Sequence, residues 1–202
     1  ILSWSFEQNF EKDGSFNDRY LKENSKNHKE ILWVLVSIDN FTPKKLEDNI
    51  LVIKKKNNSL FFYIFFLIKN FFSKLRLSRF SIKKFFQILP NESLRAEKLQ
   101  EVILNNIDIK NFSNILIPYE GQPFQNFLIS KIKKISKNIK TIGYVHAMLP
   151  SLPTNYIYRK GSPDILLVHG VSQKEILKNY LEWPDHKLKV IESLRYRDES
   201  TH

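Results

Sequence analysis

Three short stretches of the chain carry side chains able to move protons, and they share one format. The runs at 115–120 (ILIPYE), 141–146 (TIGYVH) and 164–170 (DILLVHG) are each apolar and end at Glu120, at His146 and at His169-Gly170. An imidazole titrates near neutrality and burial can tune a carboxyl, so one Glu and two His brought together form an acid–base set. In open parallel sheets ligands sit in the crevice outside the carboxyl ends of the strands. Residues that end successive parallel strands therefore meet at one edge. A single polar residue at a strand end is ordinary loop chemistry; three of acid–base type in succession carry the argument.

The elements that must position these residues follow from periodicity. From Asn114 onward, short apolar runs alternate with helical patterns. The segment 122–137 places Phe124, Phe127, Leu128, Ile132 and Ile135 at helical spacing. In 171–181, Ile176, Leu177, Tyr180 and Leu181 mark the apolar side, and KLKVIES forms the next strand. Such alternation predicts an α/β fold, a Rossmann-like doubly wound parallel sheet with both faces covered. Gly121 stands where the chain turns tightly, and Pro123 suits a first helical turn. That helix N-terminus can hold an anion or polar hydroxyls.

Upstream, ILWVLVSI (31–38) and NILVIK (49–54) read as strands, and residues 1–30 as loops and short helices. Ser59 is a plausible N-cap for a Phe-rich helix from Leu60 to Leu75, followed by Lys69, Lys74, Arg76, Arg79, Lys83 and Lys84 along and beyond it. Its first turns are apolar all round, as in a buried helix or one lying on a hydrophobic or membrane surface. Its uninterrupted apolar run ends at Lys69, short of the ~20 residues of a spanning helix. An amphipathic helix from Asn91 to about Asn106, with Leu94, Leu99, Val102 and Ile103, completes the set. No linker divides the chain, so residues 1–202 read as one α/β domain.

Composition narrows the classes. With no cysteine, neither a disulfide framework nor a thiolate metal site can form. The five histidines lack HxxxH or HExxH spacing, and no DxD pair follows a strand; Asp39-Asn40 is the nearest approach. GxGxxG, GxxxxGK[ST] and GxSxG are also missing. A net charge of +11 suits an anionic partner. Lys-, Asn-, Ile- and Phe-rich composition also follows from A+T-rich codons, and no nucleic-acid-binding module is present. No secretory signal pattern opens the chain.

IPYEGQPFQNFLISK, KTIGYVHAMLPSLP, SPDILLVHG and KVIESLRY, in this order, resemble bacterial surface-carbohydrate (O-antigen or capsule type) biosynthesis proteins of GT-B-like glycosyltransferase fold. Trp4 and the segment Phe16-Asn17-Asp18-Arg19-Tyr20 are similar to the family's beginning. The resemblance implies the N-terminal, acceptor-holding domain of a metal-independent glycosyltransferase. Its substrates would be a nucleotide-sugar donor and a polysaccharide or lipid-linked acceptor, with no further cofactor. It implies His146 as general base with Glu120 orienting it or an acceptor hydroxyl, and Gln122, His169, Gly170 and Arg195 as substrate-binding residues, the last three lining the interdomain cleft. Val145 departs from the family pattern, which has a polar residue there. The chain opens mid-pattern at Ile1 and reaches His202 where a donor domain would begin, so half of a two-domain enzyme is expected. The expected location is the cytoplasm, peripheral to an anionic inner membrane face. A non-catalytic binding or assembly module of the same fold, or a Rossmann-like sugar-nucleotide epimerase, are the alternatives.

Overall fold

The structure is a computed structural model that describes residues 1–54, 92–149 and 153–194. The Phe-rich segment Leu60–Leu75, its basic flank and Arg195 lie outside the described residues.

Two parallel sheets form the centre. In the first, β1 (Leu2–Ser5) pairs with β4 (Trp33–Ser37), which pairs with β5 (Ile50–Lys54). In the second, β6 (Asn114–Pro118), β7 (Lys140–Tyr144), β8 (Ile165–His169) and β9 (Leu188–Ile191) pair in chain order. A two-residue antiparallel ribbon, β2 (Asn17–Asp18) with β3 (Glu23–Asn24), belongs to the long loop between β1 and β4. Strand β1 lies beside β6. Ile1 and Leu2 share a cavity with Asn114 and Ile115, while Trp4 shares another with Pro118 and Phe124, so the two strands run in the same sense. The spatial order is thus β5-β4-β1, then β6-β7-β8-β9. The chain works outward from β1 and then returns to its other side. Such a reversal is the place where open α/β sheets bind ligands. The architecture is mixed α/β with parallel sheets, compatible with a Rossmann-like fold.

Side-chain alternation assigns the two faces. Val34, Val36, Ile115, Ile117, Leu166 and Val168 join one core with Ile103 of α1 (Glu92–Asn106), Leu128 and Ile132 of α2 (Pro123–Ile135), and Leu177 of α3 (Val171–Tyr180). Trp33, Leu35 and Tyr144 point to the opposite face, where the described cover is Phe16 and Leu21 of the long N-terminal loop. The three described helices therefore pack on one face, and a loop with short 3-10 turns caps part of the other. Among the described residues the cover of that second face is Phe16 and Leu21 of this loop.

The helix faces also differ in detail from their apolar stripes. Phe124, Leu128, Ile129 and Ile132 of α2 are buried, but Phe127 and Ile135 are exposed. Buried Gln125 and Asn126 take their share of the inner face instead. In α3 only Leu177 is buried; Leu181, just beyond it, is buried too, while Ile176 and Tyr180 face solvent. Strand β1 was not expected at all, since LSWS has no apolar run.

At the amino ends of β7 and β8 a polar knot fastens α2 to the sheet. The Thr141 N–H and hydroxyl donate to Asp164 Oδ2 at 2.8 and 2.9 Å, the Asp164 N–H returns a bond to Thr141 Oγ1, and Lys133 of α2 pairs with the same carboxylate. Burial pushes the Asp164 carboxyl up, but Lys133 and the Thr141 donors outweigh it and hold the pKa below the usual carboxylate value. A depressed folded pKa contributes stability above the unfolded value of about 3.9, and that stability is lost as pH falls through the folded pKa. Asp164→Asn should therefore lower stability at pH 7, with the gap from wild type narrowing by pH 3. Urea unfolding at the two pH values checks this; an equal gap at both would mean that packing, not charge, matters at this position.

Candidate functional site

The turn between β6 and α2 is built around one buried amide. Gln125, fully buried, donates from Nε2 to the Pro118 carbonyl at 2.7 Å and accepts at Oε1 from the N–H groups of Glu120 (3.0 Å) and Gln122 (3.1 Å). Asn126 extends the clamp. Its Nδ2 donates to the Gly121 and Gln122 carbonyls, and its Oδ1 accepts from the Tyr119 hydroxyl at 2.8 Å. Most of the turn's buried polar groups thus find side-chain partners, as buried backbone requires. Gly121 has φ +67, and a Cβ there would lie 2.1 Å from the Asn155 carbonyl oxygen. The 153–158 loop presses against the turn at that point. It is held there by the Tyr156 hydroxyl donating to the Tyr119 carbonyl at 3.1 Å. Burial pushes the Tyr119 phenol up to about 12 and raises that of Tyr156 as well. Both remain protonated donors at neutral pH.

This frame presents Glu120 at the sheet edge. His146, two residues past the end of β7, brings Nε2 to 3.4 Å from Glu120 Oε1, and Gln122 Nε2 donates to the other carboxylate oxygen. The histidine side chain is 15% exposed and the glutamate 36%, so the pair opens to solvent on one side only. Both stand at the carboxyl edge, beside the point where the strand order reverses.

A second carboxyl completes the surroundings of His146, and sequence reasoning passed over it. Asp18 is buried; its Oδ1 accepts from the Tyr20 and Leu21 N–H groups at 2.8 Å each, and its Oδ2 from the Ser3 hydroxyl of β1. Burial raises its pKa, while these donors and the nearby His146 charge pull it back. The ring of Tyr20, next along, meets the His146 ring edge-on with centroids 4.5 Å apart. Phe16-Asn17-Asp18-Arg19-Tyr20 did stand out in the sequence as a segment. What its pattern does not show is that a loop 128 positions away from His146 folds over the same edge.

His169 shares the edge but not the environment. Its ring lies tilted 5.1 Å from that of Tyr144, its Nε2 is buried without a hydrogen-bond partner among the described residues, and burial lowers its pKa. It is a neutral imidazole at pH 7. Gln173 accepts the His169 N–H at 3.0 Å and donates to the Ala147 carbonyl at 3.3 Å, which links the start of α3 to the loop carrying His146. Gly170 caps α3 at φ +94 with open space where a Cβ would project. Asp39, the nearest approach to a metal-binding pair, is occupied by the N–H groups of Glu7 and Phe41 and the Ser37 hydroxyl. No cluster suited to a metal ion occurs among the described residues. None of the described helices is long and apolar enough to cross a membrane.

The arrangement can take a proton from a hydroxyl. A carboxylate beside an imidazole offers a compensating charge for the imidazolium that forms when the ring takes up a proton. At 3.4 Å the contact from Nε2 to Glu120 is long for a hydrogen bond.

No protein-family model matches the chain, and no significant match was found among curated proteins.

Gly121→Ala tests the frame. A left-handed φ together with contact against backbone leaves no cheap relaxation, and a loss of about 1–3 kcal/mol is expected. Thermal or urea unfolding measures it; a change below ~0.5 kcal/mol would mean that the 153–158 loop moves away freely.

Proposed function

We propose that this chain is the acceptor-holding part of a glycosyltransferase, with His146 as general base. The observation that supports it best is the Glu120–His146 pair at the strand reversal, flanked by buried Asp18. In the proposed reaction an acceptor hydroxyl gives its proton to the His146 imidazole. Its oxygen forms a bond to the anomeric carbon of the donor as the bond from that carbon to the nucleoside diphosphate breaks. The diphosphate leaves with the bonding electrons. Glu120 steadies the imidazolium from the Nε2 side, Gln122 holds Glu120 in place, and Tyr20 walls the imidazole. The nucleotide-sugar donor, a polysaccharide or lipid-linked acceptor, and a site of action on the cytoplasmic membrane face belong to the same proposal. Its support is the resemblance of residues 114–196 together with the excess of positive charge.

His146→Ala, assayed with nucleotide-sugar donors in the full-length enzyme, should lower kcat by about 10²–10⁴-fold, the usual contribution of a positioned base. The acid limb of the pH–rate profile should vanish with it. Turnover within about threefold of wild type would refute the base assignment. Acceptor binding without transfer by the wild-type enzyme would point to the binding-module alternative.

A further inference from the structure

Arg19 is exposed, yet its side chain is held. The guanidinium carbon lies 4.6 Å from the centroid of the Phe6 ring and 4.8 Å from that of Tyr20, and Nη2 donates to the Tyr20 hydroxyl at 2.6 Å. Phe6 follows directly on the carboxyl end of β1, and the Tyr20 ring touches His146. The cation therefore sits over the crevice where the strand order reverses, one ring away from the candidate base. Arg159 makes the contrast. It spends its donors on the carbonyls of Thr154, Asn155 and Ile157, a loop-bracing role. Arg19 makes no ion pair among the described residues, and Asp18, its chain neighbour, is buried with both oxygens already bonded.

A guanidinium presents five N–H donors in a planar fork suited to two oxygens of one oxyanion. With one donor on Tyr20 and the plane fixed by two rings, the rest of the fork is directed without further loss of rotamer freedom on binding. We infer that Arg19 is the anion-recognition residue of this crevice, and that the acceptor carries a phosphate or carboxylate next to the hydroxyl that His146 deprotonates. The inference rests on the acceptor-domain reading for the identity of the ligand. The oxyanion subsite itself rests only on the geometry around Arg19.

Isothermal titration of the full chain at physiological salt with inorganic pyrophosphate, D-glucuronate and D-glucose tests it. Wild type should bind at least one of the two anions and not glucose. Arg19→Gln should weaken that binding about tenfold or more, and Arg19→Lys by an intermediate factor, since charge remains without the planar fork. Lys12→Gln, an exposed charge change elsewhere in the same loop, should leave it within about twofold, which separates a site from bulk attraction to a cationic surface. Preference for pyrophosphate identifies a phosphorylated ligand, and preference for glucuronate an acidic sugar. Anion binding is read by titration without turnover, so the subsite and the base assignment fail separately. The proposal is overturned if wild type binds neither anion, if Arg19→Gln stays within twofold of wild type, or if Lys12→Gln costs as much.

Discussion

Burying a primary amide is expensive unless its donors and acceptor are all engaged, and Gln125 meets that condition by joining pieces of chain that otherwise have no reason to stay together. It ends β6 at Pro118, starts α2 at Gln122, and fixes the N–H of Glu120 between them. The backbone of Glu120 is therefore fixed, and Gln122 Nε2 holds the carboxylate that faces His146. Tyr119, Asn126 and Tyr156 close a second ring of bonds around the same turn, with the Trp183 indole donating to the Tyr156 carbonyl at 2.5 Å. Because these groups come from β6, α2 and the loops before β8 and β9, distortion of any one is transmitted to the sheet edge.

The opposite side of the crevice is assembled by different means. There the long loop after β1 buries Asp18 against Ser3 and stacks Phe6, Arg19, Tyr20 and His146 in sequence across the edge. The buried carboxyl is costly in isolation, and three donors offset part of the cost. The loop thus takes on two roles at once. It covers the face that the described helices leave uncovered, and it supplies a polar wall for the histidine. Rigid scaffold on one side and loop on the other is a common division in α/β sites.

How much of this could be read from residues alone divides along the same line. Strands β6 to β9 and helices α2 and α3 were legible because parallel strands covered by helices appear as short apolar runs between helical periods. Their end residues Glu120, His146 and His169 follow from that pattern, and the structure places all three on one edge. Strand β1 was not legible: Ser3 and Ser5 interrupt its apolar character, since Ser3 faces Asp18 and not a hydrophobic core. Asp18 and Tyr20 were not legible as site residues, because contacts made across more than a hundred positions leave no local periodicity. Helical spacing also overstated the inner face of α2. Phe127 fits the stripe but is exposed, whereas Gln125 and Asn126 break it and are buried, because the turn's backbone needed partners more than the core needed another ring.

His146 and His169 show why position at a strand end is only the start of a chemical argument. Both follow an apolar strand, both reach the same edge, and both have an aromatic neighbour. Around His169 there is ring surface and burial, which disfavour the charged form and keep the imidazole neutral. Around His146 there is the Glu120 carboxylate at Nε2, a compensating charge for a transient imidazolium. A base must take up a proton during reaction, so the histidine suited to that task is the one whose surroundings stabilise the protonated state. On that criterion the two residues separate: the proposed base is the histidine with a carboxylate at its ring nitrogen, whereas His169 has ring surface and burial around it.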